Sequence, residues 1–190
     1  FVSYLILYEI NPNLLEIKGI CQSGGGATGT STSTGITTGP STAATEVSTR
    51  AKLISSNNIG INNKACEAGQ TSGCTSVGGL RSETVDNLVD LKKAVCPDLS
   101  IATSEKCFTV TGGSEGGHSS VTDFTHANGY KVDLAQNTKL DSYIETKYTP
   151  AGERKEKNGT TSKLYTDPQG NVYAKEVKPP HWDVCYNCHK

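Results

Sequence analysis

Methionine is absent from all 190 residues, the first position included, so Phe1 is expected to follow from processing or trimming. Apolar residues make up only 34% of the chain and aromatics 6%, with a single tryptophan. That is too little for the whole chain to fold around one core, and part of it is expected to stay outside any core. Charge of either sign is also missing in excess. A net charge of -1 excludes a strong field for holding nucleic acid or an anionic membrane. The one short basic run, Arg154-Lys155-Glu156-Lys157, reads as a solvated loop. No apolar run reaches the roughly 20 residues that a membrane span needs. The opening run Phe1 to Tyr8 is apolar but short, and fits the end of a membrane helix or a helix packed on a partner.

What the chain does have is cysteine, glycine, serine and threonine. Seven cysteines point to disulfides in an extracytoplasmic setting, envelope or secreted, with one thiol left over. Residues 1–21 read as an apolar helix broken at Asn11-Pro12-Asn13, a segment for membrane attachment or self-assembly. Residues 22–48 read as a flexible linker whose Gly/Ser/Thr composition does not offset its own ordering entropy.

Residues 49–190 are expected to form one α+β domain, a small mixed or antiparallel sheet with flanking helices. Cys66 and Cys74 bracket a glycine-rich loop and suggest a local disulfide; Cys96 and Cys107 flank a helix-to-strand connection and could bridge it. A helix begins at Ser82, with Ser82 as its cap and Val85, Leu88, Val89 and Leu91 at helical spacing, and stops at Pro97. Cys107–Thr111 reads as a strand and Leu140–Tyr148 as a short helix. Tyr130–Leu134 alternates with period two, placing Lys131 and Asp133 opposite the core face. Turn chemistry at Thr166–Asn171 separates strands at Lys163–Tyr165 and Val172–Ala174. A last strand puts His181 and Asp183 on one face, Trp182 and Val184 on the other.

Two stretches carry candidate chemistry. His126 and Asp133 stand seven positions apart across Gly129, whose freedom to take positive φ lets the chain reverse and bring carboxylate to imidazole. With His181 they would make a His-His-Asp set, three zinc ligands with one coordination position open. The bland reading of the same residues is a loop histidine, a salt-bridged aspartate and a strand histidine beside a core tryptophan. The second stretch is Cys185-Tyr186-Asn187-Cys188-His189, a complete C-x-x-C-H. It fits c-type haem attachment through Cys185 and Cys188 with His189 as axial ligand, a cystine, or a zinc knuckle. His118, in a glycine loop near the proposed site, reads as solvent-exposed rather than ligating, and is the one spare histidine for a distal haem position.

From about Leu80 to Tyr186 the chain resembles the D-alanyl-D-alanine carboxypeptidase family of zinc peptidases, which includes the vancomycin-resistance dipeptidases and has hedgehog domains as structural relatives. The resemblance is carried by His126, Gly129 and Asp133, by His181-Trp182, and by the runs Thr111–His118 and Tyr165–Glu176, which look like a bacterial, membrane-tethered subgroup. It implies a hedgehog-like fold, one zinc on His126, Asp133 and His181, and peptidoglycan stem peptides as substrate or ligand. The family's general base stands three residues before the second histidine, where this chain has Lys178; Glu176, two residues further upstream, is the substitute the resemblance offers. Lys131 replaces a usual small residue and could repel zinc or grip a substrate carboxylate. Glu115 stands near where the family's carboxylate-binding arginine is expected, and Arg81 and Arg154 are weaker candidates for that role. These departures leave a competing, non-enzymatic expectation: a surface or filament subunit that keeps the fold and packs through residues 1–20. A monohaem electron carrier is the third.

Overall fold

A computed structural model describes residues 43–100, 103–118 and 123–188. The apolar segment 1–21, most of the expected linker and His189 lie outside the described residues. The fold is α+β, with helices α1 (Ala43–Asn57), α2 (Ser82–Val95) and α3 (Thr138–Lys147). The strands are β1 (Gly60–Ile61), β2 (Thr109–Gly112), β3 (Lys131–Leu134), β4 (Thr149–Lys155), β5 (Thr161–Thr166), β6 (Val172–Val177) and β7 (Pro180–Cys185). They form one sheet in the order β1-β2-β3-β7-β6-β5-β4. The β1–β2 pair is parallel and every other pair antiparallel.

The alternation expected for β3 and β7 is present. Val132, Leu134, Trp182 and Val184 have no exposed surface and join Leu88 of α2 and Leu140 and Ile144 of α3 in the core. The helices thus cover one face of the sheet, and Lys131, Asp133, His181 and Asp183 are left on the other. The indole N–H of Trp182, which burial would otherwise leave unpaired, donates to Asp141 Oδ1 on α3 at 2.8 Å.

Three sequence expectations need correction. The linker does not run to residue 48, because α1 starts at Ala43. Its Thr/Ser-rich sequence is a poor helix former, but Leu53 is fully buried and the buried Glu46 pairs with Arg50 at 2.9 Å and accepts from the Val77 amide at 2.7 Å. Tertiary contacts override the local preference. Ser82 does not cap α2; Arg81 is the N-cap, and the Ser82 hydroxyl turns to Glu83 instead. The basic run at 154–157 is not a free loop, since Arg154 and Lys155 end strand β4.

Both expected disulfides form, Cys66–Cys74 and Cys96–Cys107, the latter joining the end of α2 to the approach to β2. Cys185 and Cys188 bond to each other. That bond occupies both sulfurs that thioether attachment to haem, or a zinc knuckle, would require. Three disulfides fit an oxidising, extracytoplasmic location. Among the described residues no helix is long and apolar enough to cross a membrane.

Candidate metal centre

Strand register assembles the site on the open face of the sheet. Asp133 of β3 is paired with Asp183 of β7, and Glu176 of β6 with His181 of β7. Directly paired residues share a face, and so do residues two apart on one strand. His181, Asp183, Asp133 and Glu176 therefore converge from three adjacent strands. Lys178 stands at the tip of the β6–β7 hairpin, past the last paired residues Val177 and Pro180.

His126 arrives from the turn before β3. Gly129, at φ 73°, closes that turn with its amide on the His126 carbonyl at 2.8 Å. Its own carbonyl accepts from the Arg81 amide and from Thr84 Oγ1 at 2.7 Å, which ties the turn to the start of α2. A side chain here would strike the Gly79 carbonyl and the Arg81 amide, so the glycine serves close packing as well as conformation. Gly112 does the same for the carboxylate: a Cβ at that position would collide with Asp133 Oδ2.

The hydrogen bonds fix which nitrogen of each imidazole faces the centre. His126 Nδ1 lies 2.9 Å from the Gly113 carbonyl, and His181 Nδ1 lies 2.8 Å from the Pro179 carbonyl. A carbonyl only accepts, so each Nδ1 carries the hydrogen and each neutral ring presents a lone pair at Nε2. Those two Nε2 atoms lie 3.4 and 3.5 Å from the same atom, Asp133 Oδ1. Two imidazole lone pairs facing a carboxylate oxygen repel unless a cation sits among them. Burial opposes a proton on His126, but the hydrogen bond and charge of Asp133, with Asp183 and the Gly113 carbonyl, outweigh it and hold the His126 pKa above its ordinary 6.5. The site therefore demands positive charge.

Comparison with protein-family models, curated proteins and solved structures finds no match to this chain.

The wall of the site is a network of ion pairs. Asp183 is buried and receives Lys131 Nζ at 2.8 Å and Arg154 at 3.0 Å. Burial would raise its pKa, yet Lys131 and Arg154, helped by His126, keep it below the usual aspartate value. Arg154 also holds Glu176 Oε1 and Glu156 Oε1, each at 2.8 Å. The other oxygen of Glu176, Oε2, lies 3.6 Å from His181 Nε2. The Glu176 pKa is raised: burial pushes it up, His181 and Arg154 pull it down, and Glu156 and Asp183 push it up again. These residues line an open cleft of about 710 Å³, with Lys155 and Lys157 exposed at its rim.

The sequence-derived set therefore divides. His126, Asp133, His181 and Glu176 come together, and Lys131 lines the cleft with its ammonium committed to Asp183. Glu115 is buried 7% exposed beneath the loop, accepting from the amides of Ser76 and Gly113, and presents nothing to a substrate. Arg81 stacks on the Tyr130 ring at 4.5 Å, outside the cleft lining. His118 is not a solvent-exposed loop residue: it stacks on His126 with ring centroids 3.8 Å apart, and with His126 and Asp133 it forms a group that could hold a metal ion. Sequence reasoning gave no site role to Asp183, although the alternation that placed it beside His181 was a usable signal. It weighed Arg154 only as a substrate-binding arginine, whereas the guanidinium is committed to Asp183, Glu176 and Glu156.

Proposed function

We propose that this chain carries a zinc-dependent, D,D-carboxypeptidase-like centre on an extracytoplasmic domain, held by His126, Asp133 and His181 and acting on peptidoglycan stem peptides. The observation that carries the proposal is the pair of Nε2 lone pairs directed at one oxygen of Asp133. The donor types are those of a hydrolytic zinc site, and the 3.4 and 3.5 Å separations of the two histidines from Asp133 Oδ1 are near the roughly 3.3 Å edge of a tetrahedron with bonds near 2.0 Å. The group whose ligand atoms all lie within 4.8 Å of one another is His118, His126 and Asp133, so His181 would have to move inward to complete the set. Each imidazole is oriented by a backbone acceptor, the outer-shell arrangement that fixes a ligand's tautomer.

Zinc bound there would act as a Lewis acid and acidify a water. The chain's own residues would do the rest. Glu176 Oε2, on the open side of His181, would accept a proton, and its raised pKa suits it to hold that proton and pass it to the departing amine. Arg154 fixes the other carboxylate oxygen, so only Oε2 is free to swing into the cleft. Lys131 and Arg154 are saturated by Asp183, Glu176 and Glu156, and the rim lysines Lys155 and Lys157 are better placed to meet a substrate carboxylate.

Metal analysis of the purified, chelator-washed and zinc-reconstituted protein tests the centre. One zinc per chain, lost in Asp133→Ala, is expected. Release of D-alanine from stem peptides, with His126→Ala as control, tests the reaction. One tightly bound zinc without any D-alanine release would turn the reading toward the non-enzymatic subunit that keeps the fold.

A further inference from the structure

We propose that His118 is a fourth protein ligand of this centre, so that the resting protein holds its metal in a closed His-His-His-Asp set. The proposal rests on the zinc reading above and adds to it a control on access.

The argument turns on which nitrogen of His118 carries its hydrogen. Nε2 lies 3.3 Å from Glu115 Oε1. Glu115 accepts from the Ser76 amide at 2.8 Å and the Gly113 amide at 3.0 Å. Two backbone amides donating to one carboxylate is the pattern of an acceptor-only side chain, so His118 donates to it through Nε2–H. The lone pair of neutral His118 is then on Nδ1. That atom lies 3.9 Å from Asp133 Oδ2, on the carboxylate whose Oδ1 is met by His126 and His181.

His118 therefore repeats the pattern of the other two histidines: one nitrogen tied to a fixed acceptor, the other turned to Asp133. Carboxylate, imidazole and metal in line is a recurrent way of orienting a ligand. The ring's surroundings agree. Its side chain is 28% exposed, it lies on the His126 ring, and one ligand atom each from His118, His126 and Asp133 lie within 4.8 Å of one another; His181 stands outside that group and would have to move inward as the metal binds.

The consequence is chemical. Zinc sites with four protein ligands are closed, whereas hydrolytic ones keep one position for water or substrate. With His118 bound, the centre stores its metal and offers no such position. Hydrolysis then requires His118 to leave, and a substrate must displace it.

The test uses the full chain with its disulfides intact, loaded with one equivalent of zinc. X-ray absorption at the zinc edge counts coordinated imidazoles: three are expected in the native protein and two in His118→Gln. Zinc affinity, measured by chelator competition, should fall by roughly 100-fold or more in the variant, because loss of an outer-shell partner alone costs about 10–100-fold. Cobalt substituted for zinc should show an absorption spectrum indifferent to added azide in the native protein and responsive in the variant. Two imidazoles in the native protein, with a cobalt spectrum that already responds to azide, would overturn the proposal while leaving the zinc centre standing. No stoichiometric zinc in the native protein would overturn both. Should His118→Gln misfold, the imidazole count of the native protein decides alone.

Discussion

Glu176 reaches the site through strand pairing. The position that the resemblance to zinc carboxypeptidases would give the base holds Lys178, at a hairpin tip, while Glu176 sits opposite His181 with one oxygen 3.6 Å from its Nε2. Replacing Glu176 by Gln keeps shape and polarity but removes the proton acceptor. Under the proposed reaction, D-alanine release should drop by about 10²–10⁴-fold, the usual worth of a positioned acid–base group, while the proposed one zinc per chain is retained. Unchanged turnover would remove Glu176 from the mechanism. Gly112, on β2 and against Asp133, supports the centre differently. Gly112→Ala must push Asp133 Oδ2 aside, so zinc affinity should fall although no ligand has changed. Chelator competition measures it. A glycine turn and strand alternation are local patterns, and they pointed His126 toward Asp133 and set His181 beside Asp183 on one face; grouping the three as ligands came from the resemblance more than from the spacing. The parts of His118, Asp183 and Arg154 were not legible, because they depend on which strands and loops meet: Arg154, weighed only as a substrate-binding arginine, lies 29 positions from Asp183 along the chain yet 3.0 Å from it in space.

Among elements, α2 and α3 followed from apolar spacing, and β3, β5, β6 and β7 from alternation and turn chemistry. Two departures share a cause. The start of α1 is rich in Thr and Ser, and β4 ends in charged residues; both are poor signals locally, and both are fixed by distant partners, Val77 for Glu46 and Glu176 with Asp183 for Arg154. The Cys96–Cys107 bridge spans the connection from α2 to β2, whose sequel carries Gly112 and Gly113 beside the site. The paired substitution Cys96→Ala, Cys107→Ala should lower unfolding free energy by about 2–4 kcal/mol, read from urea titration, because the unfolded chain regains the freedom of that loop. A stability equal to the native protein's would mean that the bridge constrains little.

At the scale of the whole molecule, folding, metal and proton are linked. In metal-free protein the His126 pKa is raised by folding. Its contribution to stability is then complete below its ordinary 6.5 and disappears as pH rises through the folded value. The melting temperature of the chelated protein should therefore fall as pH is raised from below 6.5 into the neutral range. The zinc-loaded protein should behave oppositely, because protons compete for the nitrogens that bind the metal. At 100 times the dissociation constant, free zinc should add about 2.7 kcal/mol to stability. Parallel melting curves with and without chelator across that range would contradict a metal centre at His126. At the acid end a different group takes over. Asp183, with its pKa depressed by Lys131 and Arg154, contributes stability above its ordinary 3.8 that is lost on further acidification.

The pairing of Glu176 with His181 across β6 and β7 has a further consequence. Two side chains that meet as opposites on a hairpin keep their distance whatever lies at its tip, so the count of residues between them is free to drift. Lys178-Pro179 is one spelling of that tip, and longer or shorter ones would hold the same acid against the same imidazole.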